Sequence, residues 1–540
     1  MNGRMKSARY QTPEQTEQLL KELVAEPSVT ESAAEIAIAK NVYDRLLLFP
    51  YLAEHPGQLA QYGVGEGRTL VAALALAPMK TMRTVVVIAH FDVVDIVEYG
   101  TYASLAFQMH EWTDRIRRGQ VAMPEQVKVD LLAGEWLFGR GVMDMKCGLA
   151  QNISLLEQAC NGDFEGNLLF LAVPDEERHS DGMRAAAPLL VKWARAFELE
   201  YALCIDTEPS VVANTASDGA LLYSGTMGKL LVGALCIGKE THVEAPFEGL
   251  SGTLMIGEVT RALELHPRLT ERVGREQTAP VTCLYSRDQK TCYSVQTPYK
   301  AAAYYNVLFM QRTPLEWLAV MKELTEEAMA SLAEWLDRRI AENGVETPNL
   351  AKAVHVHTFA EVLAYVCDRY PEVADAAQAI LYSEKRDLRD ATLAYVDAIA
   401  SACKEWQPLI VLFVAPPFYP AIASALQPTV RRVIAAVQAV ARERYQMDVK
   451  EQVYFPGLSD LSYVGIGDSG LGMAELAAHM PLWEKGYSLP VAELRQLEIP
   501  VLNIGPYGKD AHKWTERLER HYSLHVLPEL LRAALIAVFA

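Results

Sequence analysis

Apolar positions in the first 225 residues follow two rhythms. Short solid runs, TLVAALALA (69–77), TVVVIA (84–89), NLLFLAV (167–173) and ALCID (202–206), have the length of strands buried on both faces. Between them lie helix-patterned segments, KCGLAQNISLLEQAC (146–160) and GMRAAAPLLVKWARAFEL (182–199). Strand and helix in alternation predict an α/β domain. The rhythm returns near the end, with helices over 429–445 and 522–540 and a strand over 501–504.

The middle follows another order: a strand over 229–237, a helix over 251–265, strands near 280–286 and 299–310, and a long helix over 314–340. That order predicts a small α+β domain inserted into the larger one. Residues 341–405 are Ala-rich and read as a helical elaboration of the insert, and LIVLFVAPPFYP (409–420) leads back as a strand. The expected organisation is a discontinuous domain over 1–225 and 416–540, interrupted by an inserted domain over 226–415.

Composition narrows the function classes. A chain of 540 residues with 51% hydrophobic and 22% charged residues has a globular profile and exceeds one core. A formal charge of −18 opposes nucleic-acid binding, which needs clustered Lys and Arg. The N-terminus lacks a signal-peptide core, and no run of about 18 apolar residues is read as a membrane span. The eight cysteines form no C-x-x-C pair, which suits reduced thiols in a cytoplasm rather than a disulfide framework.

The chemistry lies where strands end. TVVVIA runs into His90 and Asp92, whose side chains share one face of an extended chain. NLLFLAV is followed by Asp175, Glu176 and Glu177, ALCID closes on Asp206 before Glu208, and VLNI leads to His512. Asp144 sits in GRGVMDMKCG, ahead of a helix. Singly, each reads as a helix cap or a solvated strand end. Ligands in open α/β sheets bind at the carboxyl ends of strands, and this set arrives there together. Histidine and carboxylate without thiolate suits Zn²⁺, Co²⁺ or Mn²⁺. Three carboxylates and a hydroxide would balance two divalent cations, and paired metals are an established hydrolytic arrangement.

HFDVVD, GRGVMDMKCG, PDEERHSDG, DTEPS, GKETH and GPYGKDAH together resemble, in order, the motifs of the aminoacylase, acetylornithine deacetylase and glutamate carboxypeptidase type of zinc peptidases. The long form is most similar to the RocB branch of arginine-utilisation proteins. The resemblance implies a catalytic α/β domain with a mixed sheet flanked by helices, and an α+β lid that closes over it and dimerises. It implies that His90 and Glu208 hold one Zn²⁺, Glu177 and His512 the other, and that Asp144 bridges them. Asp92 would orient His90, Glu176 would be the general base, and His242 would stabilise the oxyanion, unless it is a surface histidine after a strand. The loop from Gly457 to Asp460 matches one near the family's site. The reaction implied is hydrolysis of an amide in an N-acyl amino acid or small peptide by a cytoplasmic homodimer, with an arginine- or ornithine-derived substrate suggested by the branch. A dipeptidase or carboxypeptidase, or a binding protein that turns nothing over, stays open beside it.

Several positions depart from the family pattern. Asp95 replaces a proline and His179 a glycine, the segment between His90 and Asp144 is longer and partly helical, and Leu308 stands where an arginine would grip a substrate carboxylate. Val295 replaces an asparagine, and Arg312 is the nearest alternative cation. YGVGEGR (62–68) precedes a strand and reads as a turn, not a phosphate cradle. His355 and His357 lack a carboxylate set, Ser224 lacks a G-x-S-x-G elbow, and the aromatic residues of 406–419 read as core.

Overall fold

Val85, Val86, Val87 and Ile88 are all fully buried, the outcome expected of an uninterrupted β-branched run. Their strand, Arg83–His90, lies inside an eight-stranded mixed sheet of the computed structural model, which describes residues 8–210, 220–381, 387–467 and 472–540. The first seven residues and 382–386, the latter within the expected helical elaboration, lie outside the described residues.

Across the sheet the strands are Leu59–Gly65, Arg68–Ala75, Asn167–Val173, Arg83–His90, Glu200–Asp206, Val501–Asn503, Ala220–Tyr223 and Val449–Gln452. Asn167–Val173, Arg83–His90, Glu200–Asp206 and Val501–Asn503 run parallel. His90 pairs opposite Val173 and Ile88 opposite Asp206, so the three longer strands end nearly level. Whatever follows them emerges at one edge. YGVGEGR holds a tight hairpin turn: Leu59–Gly65 and Arg68–Ala75 pair and turn at Glu66 and Gly67, both with positive φ.

Helix Lys146–Asn161 packs against the strands and is buried along nearly its whole length. Two of its amides bond inside the core: Gln151 Nε2 donates to the Ser523 carbonyl at 2.8 Å and Asn152 Nδ2 to the Ile88 carbonyl at 2.8 Å. The second bond fixes this helix to the strand that carries His90. The C-terminal segment is the most apolar helix of this unit. Tyr522–Phe539 is an 18-residue helical stretch apolar enough to span a membrane by length and composition. Here 61% of it is buried, with Leu527, Leu530, Leu531, Ala534, Leu535 and Val538 in the core and the segment packed on helix Pro428–Tyr445. Its charged residues are used, Arg532 bonding Gln158 at 2.7 Å and Glu529 bonding Arg444 at 2.5 Å. These elements belong to a unit made of Met1–Thr226, Ile422–Ile466 and Pro490–Ala540.

A second unit comprises Met227–Ala421 and Gly467–Leu489. Its five-stranded sheet has the order Thr282–Asp288, Lys300–Phe309, Gly228–Ile237, Leu409–Tyr419, His355–Thr358. Helices Gly252–Leu263 and Pro314–Glu342 pack together and complete the strand–helix–strands–helix order read from the sequence. The elaboration is not all helical. His355–Thr358 is an edge strand parallel to Leu409–Tyr419, ahead of helices Phe359–Arg369, Pro371–Leu381 and Leu388–Ala400. Only Val356 of those four residues is buried, so the stretch is too short and polar to announce a strand. Gly467–Leu489 joins this unit because Tyr487 locks onto Phe418: its hydroxyl accepts from the Phe418 N–H at 2.9 Å and donates to the Phe418 carbonyl at 3.1 Å.

Candidate metal centre

His90 closes its strand with its side chain fully buried. Its Nδ1 lies 3.0 Å from the Asp92 carbonyl oxygen, which can only accept, so Nδ1 carries the proton. That leaves the Nε2 lone pair pointing at Glu208 Oε1 (3.2 Å) and Asp144 Oδ1 (3.3 Å), with Glu176 Oε2 at 3.8 Å. Buried Nε2 has no hydrogen-bond partner there. A ring lone pair facing carboxylate oxygens needs a cation between them.

The second cluster repeats the pattern. His512 Nε2 stands 3.1 Å from Glu177 Oε2 and 3.2 Å from Asp144 Oδ2. Asp144 thus offers one oxygen to each histidine, the geometry of a bridging carboxylate. His90, Asp144 and Glu208 form one group whose donor atoms lie within 4.8 Å of one another, and Asp144, Glu177 and His512 form another. A third combination joins His90 to Glu176 and Glu177.

Electrostatics shows the crowding. Burial raises the pKa of Glu208 and Glu176 well above the carboxylate range, with neighbouring carboxylates adding to the effect. Hydrogen bonds to Asp144 and Glu177 push His512 up to about 11. Burial opposes charge on His90, yet facing Glu208, Asp144 and Asp92 carry its pKa well above normal. Two divalent cations in these donor sets would relieve that repulsion, so the residues fit a dinuclear centre.

The backbone is shaped to bring these groups together. A Cβ on Gly505 would meet the Glu208 carbonyl oxygen at 1.8 Å, so only glycine lets the chain after strand Val501–Asn503 pass Glu208. Asp92 does more than the expected orientation of His90. Its carbonyl makes that bond, while its carboxylate lies 3.6 Å from Nδ1 and accepts from the Glu176 N–H (3.2 Å), the Glu177 N–H (3.3 Å) and Thr30 Oγ1 (2.9 Å). Buried Asp175, paired with Arg68 at 2.9 Å, anchors the same turn.

Residues 86–481, well over half of the chain, match the model of peptidase family M20/M25/M40. The chain belongs to that family. M20 proteins are metal-dependent peptidases and amidohydrolases with a dinuclear site, so this chain is a hydrolase of that type. YqjN of Bacillus subtilis is 38% identical over 535 residues, covering 98% of this chain and 97% of the relative. Protein RocB of the same organism is 28% identical over 533 residues, covering 96% and 94%. The M20 family metallo-carboxypeptidase of Sulfolobus solfataricus superposes with a TM-score of 0.56 over 97% of this chain and 99% of its own, at 11% identity, which speaks for the fold.

Some M20 departures now have local explanations. Asp95 is exposed and its carboxylate accepts from the Val97 N–H at 3.0 Å, which makes it a turn cap. His242 is half-exposed, bridged to Gln296 and close to Glu244 at 3.6 Å. Leu308 is half-buried opposite Lys229, Val295 is exposed, and the Arg312 guanidinium lies over the Trp317 ring at 5.0 Å while donating to the Arg268 carbonyl. Three further buried groups stand close to these residues or to the loops that carry them. Glu516 accepts from Arg140 (2.7 Å) and from the Met143 N–H (3.2 Å), which ties down the Asp144 loop. Buried Lys146 donates to the Glu26 carbonyl at 2.7 Å. Asp460 is buried, and its charge adds to the raised pKa of Glu176. The signal for Asp460 was the Gly457–Asp460 loop, which matches one near the family's site.

Proposed function

We propose that this M20 chain hydrolyses the amide bond of an N-acyl amino acid or small peptide, with two Zn²⁺ ions, or Co²⁺ or Mn²⁺, held by His90, Asp144, Glu177, Glu208 and His512. The observation that carries the reading is the pair of histidine–carboxylate clusters sharing Asp144. Bound cations of this kind polarise a carbonyl and lower the pKa of water towards about 7. The remaining work falls to the chain. Glu176 lies beside both clusters with a proton affinity raised by burial, which suits a group that takes a proton from the attacking water and passes it to the leaving nitrogen. Water oxygen bonds to the carbonyl carbon, the C–N bond breaks, and the amine leaves with the relayed proton. Asp92 holds the Glu176–Glu177 turn through two N–H groups and so aims the base.

Glu176→Gln keeps shape and removes the proton acceptor. The expected result is unchanged metal content with kcat lower by about 10²–10⁴-fold on whichever amide the wild type cleaves. Wild-type turnover in that variant would remove Glu176 from the mechanism. Relative rates on N-acyl amino acids and on dipeptides separate deacylase from peptidase. Similarity to RocB favours a basic amino-acid portion, and equal rates on basic and neutral N-acyl amino acids would end that preference. We assign the inserted unit the lid and dimerisation role, with His242 as oxyanion donor, in a cytoplasmic homodimer. Sedimentation as a monomer would contradict the dimer.

A further inference from the structure

His90 and His512 differ in how they are aimed. The Nδ1 of His90 is held by a carbonyl, the usual way a ligating imidazole is oriented. Among the described residues no protein group holds the Nδ1 of His512, which is also 53% exposed. Its direction must come from the backbone, and that backbone is strained. Asp510 and His512 both sit in the left-handed region, with φ of 61° and 64°, in the turn between strands Gly508–Lys509 and Arg517–Glu519. Such conformations persist where the surroundings over-determine them.

The surroundings come from the long segment between His90 and Asp144. It folds as a 3-10 stretch, Val97–Leu105, and helices Met109–Arg117 and Glu125–Ala133. Asp130, 5% exposed on the last of these, accepts from Lys509 Nζ at 2.6 Å through one oxygen. Its other oxygen takes Arg517 Nε at 3.0 Å and Nη2 at 2.5 Å. Arg517, 1% exposed, reaches on through Nη1 to the Asp510 carboxylate, which also accepts from Thr515 Oγ1 at 2.9 Å. Two cations and two carboxylates thus clamp both strands and the first strained residue of the turn. Trp136, whose Nε1 donates to the Asp130 carbonyl at 2.9 Å, lies under both Lys509 and Arg517, each 5.5 Å from its ring. On the far side of the turn, Trp514 packs on Tyr102 and Trp112 of the same segment.

We propose that the 97–133 segment braces the His512 turn, with Asp130 as a positioning residue that acts through Lys509, Arg517 and Asp510. The brace sets occupancy of the metal position served by His512 and Glu177, and leaves the His90–Glu208 position nearly untouched. This inference rests on the dinuclear reading above.

The test uses the full chain, stripped of metal and titrated with Co²⁺ against a competing chelator, which yields ion number and both affinities. His512→Ala supplies the reference loss at its position. Asp130→Asn should weaken that same position ten- to a hundredfold, as loss of a ligand's supporting partner does, with the other position within about twofold. Asp130→Glu should recover part of the loss, and Lys509→Gln should show a smaller loss at the same position. A folded Asp130→Asn chain with wild-type affinities, or with equal losses at both positions, overturns the proposal. If Asp130→Asn does not fold, Lys509→Gln decides by the same criteria. A wild-type chain that binds fewer than two ions overturns the dinuclear reading and this inference with it, so the wild-type arm tells the two failures apart.

Discussion

Glu35 is a carboxyl that the fold keeps away from water, 1% exposed, with Oε1 unpartnered and Oε2 accepting from the Glu31 N–H at 2.6 Å. Burial first, and then the charge of Asp92, push its pKa from 4.5 up to about 8; Asp175 adds to the rise and Arg68 opposes it. The folded state therefore prefers the protonated form. That contribution to stability is complete below about pH 4.5 and is lost as pH climbs through about 8. Glu35→Gln should accordingly leave stability near wild type at pH 5. At pH 9 it should raise it, by on the order of 1–3 kcal/mol after allowance for relaxation around the charge. Denaturant midpoints at the two pH values check this, and equal shifts at both would assign Glu35 a role other than a buried acid.

At the level of elements, the site depends on strands that end level and on loops that approach closely. Gly505 is the tightest approach, and Gly505→Ala should lower stability by about 1–3 kcal/mol while displacing Glu208. Denaturant unfolding and metal content of the purified variant measure both effects, and wild-type values for the two would mean that the loop relaxes freely. The same elements explain what the sequence made legible. Parallel strands buried on both faces are solid apolar runs, so Arg83–His90, Asn167–Val173 and Glu200–Asp206 stood out, and so did the polar residues just after them. The strand His355–Thr358 did not, because only one of its residues is buried and its pairing partner lies at 409–412. Glu516 sits on an irregular segment with no period to mark burial, and its partner Arg140 is distant in sequence; Asp460 opens a 3-10 turn too short to show one. The C-terminal helix shows the limit of hydropathy, since a helix packed in a core can be as long and apolar as one that spans a membrane.

For the whole molecule, a formal charge of −18 includes a group of buried and half-buried carboxylates around His90: Asp92, Asp144, Glu176, Glu177, Asp206, Glu208 and Asp460. Cations that bind only the folded arrangement should stabilise it by mass action, about 2.7 kcal/mol at a free concentration a hundredfold above Kd. Removing metal with a chelator should therefore lower the thermal midpoint, and restoring Zn²⁺ should return it. A midpoint indifferent to both would oppose metal binding by the native site.

Strand Val501–Asn503 fills an interior slot of the sheet, between Glu200–Asp206 and Ala220–Tyr223, although it lies near the far end of the chain. At about 5–20 residues per second, a ribosome takes roughly 20–80 s to travel from His90 to His512. From Glu208 onward in that interval the nascent chain displays the carboxylates and one histidine of the proposed site, but neither the closing strand nor the histidine proposed to complete it. Metal selection is thereby postponed until both have been made, within a dozen residues of each other.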